Sequence, residues 1–231
     1  MTALFFATPE DSVRPGDWLG PEERAYFATL QSPQRQSAFL TSRIALRHGL
    51  CRVFGGDFWD WPLDRRGRPG RSGIGTSLSH RPAGVLCGVA AAAVGVDLDG
   101  VRQGARWQAI ARRWFHPAEV RRLELAAPGD AERLFYQLWC LKEAWVKATG
   151  RGLANHFQAL VVDESGRLVT DRPTEGWHCY AGWWQDHCLA VATLEADSAG
   201  PVLYRLHWDS GRPEHLLACE PLVVDWSMQS G

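Results

Sequence analysis

The stretch from residue 130 to 149 restricts the fold more than any other part of the sequence, because it predicts one long helix. Asp130 is suited to the N-cap of that helix, and Gly150 is suited to end it. Apolar side chains at helical spacing form one stripe along it, namely Leu134, Leu138, Leu141 and Trp145.

Helices and hairpin-like strands alternate along the rest of the chain, without the strand–helix–strand rhythm of a parallel sheet. A strand at 84–99 is expected to be broken at Gly88 and Gly95. This alternation favours an α+β fold. The other predicted elements are helices at 21–31, 34–50, 105–115 and 117–126, a strand at 76–79, two strands within 158–169 joined by a turn at 164–166, and further strands within 177–194.

Composition excludes several classes of protein. The 231 residues suffice for one domain or two small ones, and a formal net charge of -1 argues against a protein that coats nucleic acid. No run of about 18 apolar residues is present, so we expect no membrane span. The N-terminal segment lacks the basic start of a signal peptide. The six cysteines are scattered without a C-x-x-C pair, so we expect reduced thiols in a cytoplasmic protein.

Positive charge is concentrated in two stretches. Residues 35–71 contain eight arginines against three aspartates, and residues 102–122 contain six arginines against one glutamate. Patches of this kind indicate anionic ligands or an acidic partner. Solvated helix faces would give the same pattern.

Two aspartates lie at the end of a predicted strand. Because side chains alternate along a strand, Asp97 and Asp99 should project together, about 7 Å apart, from the face opposite Val96 and Leu98. Two neighbouring carboxylates repel unless a cation compensates, and hard oxygen ligands suit Mg²⁺. The alternative is a strand end that simply turns into solvent.

The use of lysine is unusual in this chain. Only Lys142 and Lys147 are lysines, and the other 23 basic side chains are arginines. On the predicted helix, Trp139, Glu143 and Lys147 share one face. The alternative is an ordinary Glu–Lys pair on the surface of a helix, which has the same spacing. However, lysine can release a proton near neutral pH and arginine cannot, which indicates proton-transfer or phosphate chemistry.

Ser79 and His80 follow a loop rich in Gly, Pro and Arg at 64–75. The G-x-S-x-G context of a hydrolase nucleophile is missing, so we reject a catalytic triad. The sequence also contains no P-loop and no well-placed dinucleotide fingerprint. A histidine in this position could contact a phosphate, although a structural hydrogen bond is the simpler alternative.

Taken together, these motifs resemble the 4′-phosphopantetheinyl transferases of the Sfp type. The two main motifs of that family match Gly95–Asp99 and Trp139–Lys147, and its intermediate segment matches Arg113–Glu119. Its Gly-[Lys/Arg]-Pro loop matches 67–69, and its Ser-His step matches 79–80. The order and spacing agree over roughly half of the chain, and the motifs are specific as a set.

The resemblance implies two similar α+β halves, each a small antiparallel sheet with helices, packed as a pseudo-dimer with the site between them. We place the halves at residues 1–99 and 100–231. The implied enzyme transfers the 4′-phosphopantetheine group of coenzyme A to a serine of an apo acyl or peptidyl carrier protein and releases adenosine 3′,5′-bisphosphate. Such carriers serve fatty acid, polyketide and nonribosomal peptide synthesis. We expect a monomer with no nucleic-acid or membrane partner.

The resemblance also assigns roles to residues. Asp97, Asp99 and Glu143 would hold Mg²⁺, and Asp99 stands where many relatives have Glu. The catalytic residues would be Asp97, Glu143 as acceptor of the serine proton, and Lys147 as the cation at the leaving phosphate. Coenzyme A would be bound by Arg43, Arg47, Gly67, Arg68, Pro69, Ser79, His80, Lys142 and Lys147.

Other functions use parts of the same pattern. Another Mg²⁺-dependent phosphoryl-transfer enzyme would employ the three acids with an activated water. A non-catalytic module could bind coenzyme A or a nucleotide, although binding alone does not require the lysines as proton donors. A nucleic-acid binder could use the arginines and tryptophans, but the net charge opposes it. Within the transferase hypothesis, residues 102–122 are expected to dock the acidic carrier protein.

Overall fold

The computed structural model describes residues 1–9, 14–102, 106–150, 157–163, 168–170, 176–195, 200–208 and 217–230. Its helices are α1 (Pro15–Trp18), α2 (Pro21–Thr29), α3 (Pro33–Phe54), α4 (Trp107–Trp114), α5 (Pro117–Leu125) and α6 (Pro128–Thr149). Its strands are β1 (Ala3–Ala7), β2 (Gly75–Arg81), β3 (Gly84–Ala90), β4 (Val94–Gly100), β5 (Val161–Val162), β6 (Leu168–Val169), β7 (His178–Trp184), β8 (His187–Thr193), β9 (Val202–His207), β10 (Ala218–Leu222) and β11 (Asp225–Ser230).

The chain divides into two compact units and has an α+β fold. The first unit comprises Met1–Ala93 and Pro201–Val223, and the second comprises Val94–Gly200 and Val224–Gly231. Strand β4 therefore lies in the second unit, and β9 and β10 lie in the first. The division into halves after residue 99 stays a prediction.

The first unit has a five-stranded sheet in the order β10-β9-β1-β3-β2, in which β1 and β9 are parallel and the other pairs antiparallel. Helix α3 packs on β1 and β3. Gly49 allows close approach there, because a Cβ at this position would lie 2.8 Å from the Phe5 ring. The buried side chains between helix and sheet form the core of this unit.

The second unit has a four-stranded antiparallel sheet in the order β11-β7-β8-β4, and a separate pair formed by β5 and β6. Helix α6 packs on β4 and β8. Gly95 on β4 has no side chain to hold the two layers apart, and a Cβ there would overlap the Ala144 carbonyl and the Ala148 amide of α6. The core of this unit lies on the helix-covered side of the sheet.

Both units contain the same succession of elements. The series β1-α3-β2-β3 in the first unit corresponds to β4-α6-β7-β8 in the second, and each helix has 22 residues. In both sheets the first strand of the series pairs with the third, and the third pairs with the second. The two units are therefore similar in topology, while their packing as a pseudo-dimer stays a prediction.

Most predicted elements are present, with shifted ends. Helix α6 begins at Pro128 rather than Asp130 and ends as expected at Gly150, whose φ is 68°. Helix α3 continues past residue 50 to Phe54. The strand predicted at 84–99 is two strands, β3 and β4, which belong to different sheets. The predicted breaks at Gly88 and Gly95 are wrong, because both glycines lie inside strands and the break falls at residues 91–93. Among the described residues, no helix is long and apolar enough to cross a membrane.

Candidate active site

Asp97 and Asp99 lie on the face of β4 that α6 covers. Pairing with β8 sets Asp97 opposite Ala190 and Asp99 opposite Cys188. Gly95 lies two residues before Asp97 and therefore faces the same side of the strand. A Cβ at Gly95 would overlap the backbone of α6, so this is the face of β4 that α6 covers. The two carboxylates therefore share one face, but it is a covered face, with Asp97 3% and Asp99 5% exposed.

Lys147 compensates the charge of Asp97. Its Nζ donates to Oδ1 of Asp97 at 2.7 Å and to the carbonyl of Val96 at 3.0 Å. The Lys147 side chain is 30% exposed, whereas that of Asp97 is 4% exposed. The last turn of α6 thus brings an ammonium group to a buried carboxylate at a point that solvent still reaches. A lysine in such a place can neutralise or protonate a phosphate.

Arg102 compensates the charge of Asp99. Its Nη2 donates to both carboxylate oxygens, at 2.8 and 3.1 Å. The hydrogen bond to Asp99 raises the pKa of Arg102. The amide of Gly100 donates to the same carboxylate at 2.9 Å. In the sequence, Arg102 is only one arginine of the basic stretch 102–122, and no local pattern marks it as the partner of Asp99.

Glu143 lies on α6 one turn before Lys147 and is partly exposed. Within the described parts of the chain, no three His, Cys, Asp or Glu side chains are grouped so that they could hold one metal ion. Asp97 and Asp99 alone nevertheless supply hard oxygens from one face, and Mg²⁺ commonly takes only one or two carboxylates with waters and phosphate oxygens. The pair fits Mg²⁺ by donor chemistry, and the three-acid site stays a prediction.

Lys142 lies in the core, in contrast to its predicted contact with phosphate. Its side chain is 0% exposed, and Nζ forms an ion pair with Oε2 of Glu119 at 2.7 Å. The same Nζ donates to the carbonyls of Phe157 and Leu160. Desolvation lowers the pKa of Lys142, and Glu119 opposes that shift. This ammonium is enclosed and its partners belong to the protein, which opposes the predicted contact with phosphate.

Glu119 ties the segment that precedes α6 to other parts of the second unit. Its Oε2 accepts from the amide of His116 at 3.1 Å, which closes the first turn of α5. Its Oε1 accepts from the amide of Val162 at 2.8 Å. With Lys142 this glutamate joins α5, α6 and the 157–162 segment. The segment 113–119 is recognisable in the sequence, but the pairing of Glu119 with Lys142 is not, because it forms only in the folded protein.

Arg43 lies on α3 in the first unit, and its guanidinium already has several partners within the protein. Its Nε lies 3.2 Å from Oε1 of Glu23, and its Nη2 donates to the carbonyls of Asp64 and Arg65 at 3.2 and 2.7 Å. Its guanidinium also lies 4.3 Å from the centre of the Phe39 ring. The arginine thereby fixes α2 and the 64–65 loop against α3.

Arg47 is enclosed in the same network. Its Nη2 pairs with Oε2 of Glu23 at 2.7 Å, and its Nε donates to the carbonyl of Trp61 at 3.0 Å. The side chain is only 4% exposed. Burial against Glu23 and Trp61 gives Arg47 a structural role, and its contact with the coenzyme stays a prediction. Glu23, which holds both arginines, has no recognisable signal in the sequence.

A basic cavity of about 550 Å³ lies in the first unit. Its wall includes the aromatic side chains of Tyr26 and Phe39. The structure brings the predicted Arg43 and His80 together there and adds three arginines that the sequence marks only as members of the basic stretch 35–71. The basic side chains of the wall are Arg35, Arg43, Arg65, Arg66 and His80.

The remaining predicted coenzyme contacts of the first unit other than Arg47, which are Ser79, Gly67, Arg68 and Pro69, are not among the described residues that line this cavity. Ser79 is buried, whereas His80 next to it is exposed.

Gly67 has a φ of 79°, and its carbonyl accepts from Thr76 at 2.9 Å. Arg68 pairs with Asp64 at 2.7 Å, and Pro69 bridges to Leu63. The Gly-Arg-Pro turn thus shapes the loop that carries Arg65 and Arg66.

The chain is similar in sequence to proteins named as 4′-phosphopantetheinyl transferases. Residues 93–192, which contain both acids and both lysines, match the model of the 4′-phosphopantetheinyl transferase superfamily. The chain is 32% identical over 158 residues to a provisionally named 4′-phosphopantetheinyl transferase of Synechocystis sp., covering 64% of this chain and 63% of that protein. It is 28% identical over 190 residues to the 4′-phosphopantetheinyl transferase HetI of Nostoc sp., covering 77% of each. It is 26% identical over 106 residues to the 4′-phosphopantetheinyl transferase Sfp of Bacillus subtilis, covering 45% of this chain and 46% of that protein.

Proposed function

Residues 93–192 of this chain match the model of the 4′-phosphopantetheinyl transferase superfamily, and from that premise we propose that the protein transfers 4′-phosphopantetheine from coenzyme A to a serine of an apo acyl or peptidyl carrier protein. The observation that carries the proposal is the ion pair between Asp97 and Lys147. A buried carboxylate and a partly exposed ammonium meet at 2.7 Å inside the matched stretch. A carboxylate can hold a cation and an ammonium can bind a phosphate, so this pair suits a place where a pyrophosphate is bound and cleaved.

The residues of the second unit can divide the work of the transfer. The serine oxygen attacks the phosphorus that bears pantetheine, and the bond from that phosphorus to the adenosine bisphosphate breaks. Glu143, partly exposed on α6, would accept the serine proton. Lys147 would neutralise or protonate the leaving adenosine 3′,5′-bisphosphate.

We assign Asp97 and Asp99 as the residues that hold Mg²⁺, with Glu143 as the further candidate. When bound, this ion offsets negative charge on the pyrophosphate. Asp99 is shorter than the Glu of many relatives, which leaves room for a water between carboxylate and metal. Lys142 has no place in this assignment, since its ammonium is enclosed by Glu119 and two carbonyls.

The basic cavity of the first unit is suited to the phosphates of coenzyme A. Arginine binds phosphate with two parallel hydrogen bonds, and Arg35, Arg65 and Arg66 are exposed at this wall. The rings of Tyr26 and Phe39 offer apolar surface to the adenine. Contacts from Ser79, Gly67, Arg68 and Pro69 stay predictions, as does a cytoplasmic monomer.

The decisive experiment is intact mass spectrometry of an apo carrier protein incubated with this protein, coenzyme A and Mg²⁺. We expect the carrier to gain the mass of one phosphopantetheine, and the gain to disappear with EDTA. Glu143→Gln should lose the activity while retaining the fold, because the amide cannot accept the serine proton. Glu132→Gln, which removes a carboxylate from the same helix, is the matched control and should remain active.

The alternatives predict different results. If coenzyme A binds but several different carriers gain no mass, the protein is a binding module or has another acceptor. If a phosphate ester is hydrolysed without any carrier, a phosphoesterase replaces the transferase. If coenzyme A does not bind, the proposed function is wrong.

A further inference from the structure

Arg102 approaches the Asp99 carboxylate from the solvent side. A single nitrogen, Nη2, donates to both oxygens at 2.8 and 3.1 Å. The Asp99 side chain is 6% exposed, and that of Arg102 is 57% exposed. The guanidinium therefore covers the two oxygens that a cation would use, and it can move into water without disturbing the core.

The backbone beneath Arg102 is held although its side chain is exposed. The amide of Arg102 donates to the hydroxyl of Tyr136 on α6 at 3.3 Å. Tyr136 itself is buried. The carboxylate is also held independently of the guanidinium, because the Gly100 amide donates to its Oδ1 at 2.9 Å. Release of the side chain thus leaves both the chain segment and Asp99 tied by other hydrogen bonds.

The charges at the two acids are already balanced in this structure. Lys147 pairs with Asp97, and Arg102 pairs with Asp99. A divalent cation that binds these carboxylates must therefore displace or repel at least one of the two side chains. Lys147 is the more firmly held of the two, since Nζ has a second acceptor in the Val96 carbonyl. Arg102 is the more exposed, so it is the one that yields.

We propose that Arg102 is a positioning residue that competes with the divalent cation for the Asp99 carboxylate and thereby sets the cation concentration at which the site fills. The identity of the cation rests on the proposed function. The competition itself follows because Arg102 and the cation would use the same two carboxylate oxygens of Asp99. It does not require Arg102 to touch either substrate.

The test is binding of Mn²⁺ to the full chain without coenzyme A, measured by electron paramagnetic resonance of the free ion. Arg102→Gln should bind Mn²⁺ roughly fivefold more tightly, which is the upper range for releasing a partly exposed ion pair. Arg102→Lys restores a competing charge and should stay close to wild type. Arg106→Gln removes the same charge from an exposed neighbouring position and should change the affinity by less than about twofold, because charges in solvent are screened.

Each result decides the proposal. Equal or weaker binding in Arg102→Gln overturns it, and so does a failure of both wild type and variant to bind Mn²⁺. A damaged fold would weaken binding, so a gain in affinity separates competition from a purely structural role. The carrier-mass assay on the wild type is independent: tighter Mn²⁺ binding in the variant without any transfer would retain the competition and reject the proposed function.

Discussion

The two lysines of this chain lie on one helix but in opposite surroundings. Lys142 has no exposed surface and is enclosed by Glu119 and two carbonyls. Lys147 is partly exposed and paired with Asp97. Burial without water makes the first ammonium dependent on its ion pair, while access to solvent leaves the second available to a ligand. Their substitution should therefore separate stability from activity.

We expect Lys142→Met to lower the free energy of unfolding by about 3–5 kcal/mol, because it leaves the Glu119 carboxylate buried without its cation. Lys147→Met should cost less, about 1–2 kcal/mol, since water reaches this pair. Transfer activity per folded molecule should fall roughly 100-fold or more in Lys147→Met, as for loss of a group that moves a proton. Urea unfolding and the carrier-mass assay measure the two effects.

Glu119→Gln combined with Lys142→Met provides the control for this comparison. The double variant removes the unpaired carboxylate, so it should recover part of the stability that Lys142→Met loses. A selective loss of activity in folded Lys142→Met, with Lys147→Met fully active, would contradict the assignment and return the phosphate role to Lys142.

The sequence indicates the candidate site residues better than it indicates the residues that pair with them. The motifs and the scarcity of lysine suffice to point to Asp97 and Lys147. Neither feature distinguishes the exposed Lys147 from the buried Lys142. That distinction depends on Glu119 and the 157–162 segment, which the fold brings to α6 from elsewhere in the chain. Tertiary pairing of this kind leaves no local pattern to read.

At the scale of elements, the contact between α6 and β4 places the site. Gly95 lies where the helix backbone reaches the strand, and a Cβ would overlap the Ala144 carbonyl. This close approach sets the helix residue Lys147 beside the strand residue Asp97. The glycine of the first motif is thus required by packing between the two layers rather than by an unusual backbone angle.

We expect Gly95→Ala to destabilise the protein by about 3 kcal/mol, because backbone atoms on the facing helix cannot rotate away as a flexible side chain would. Gly129→Ala, at the start of α6, meets nothing within 4 Å and should be neutral or slightly stabilising. Thermal unfolding of both variants checks the prediction. Equal stability of Gly95→Ala and wild type would show that α6 can shift from β4 at little cost.

The strand predicted at 84–99 is a case in which the end of an element cannot be predicted from local sequence. Continuous Val and Ala residues favour a strand on both sides of residues 91–93, and nothing there is as strong a breaker as proline. The break arises because β3 pairs with β1 and β2, whereas β4 pairs with β8 of the other unit. Helix α6 could be predicted almost to its ends, since its periodicity and its terminal glycine are both local signals.

At the scale of the whole molecule, each unit carries a different set of candidate functional residues, although both contain the same succession of elements. The first unit bears the arginine-lined cavity, and the second bears the acids and Lys147. Only the family resemblance predicts this similar topology, because the two halves do not share a visible sequence repeat. The second unit also bears α4 and α5, whose arginines form the surface expected to receive the carrier protein.

The arginines of α4 and α5 are not equivalent on that surface. Arg112 pairs with Glu124 at 3.1 Å, and Arg122 donates to the Asp163 carbonyl at 3.0 Å, so both are partly committed within the protein. Arg113 and Arg121 are exposed. If an acidic carrier docks here, these two arginines should contribute most to its encounter, since exposed charges steer association through long-range attraction.

We therefore expect Arg113→Glu combined with Arg121→Glu to raise the KM for the carrier roughly tenfold while leaving the KM for coenzyme A unchanged. The double variant should also lose most of the salt dependence of carrier modification, because screening acts on the attraction that it removes. Arg14→Glu with Arg52→Glu makes the same change of charge on exposed residues of the first unit and should affect neither constant. If both double variants raise the carrier KM equally, the overall charge of the protein attracts the carrier and the α4–α5 surface has no special part in docking.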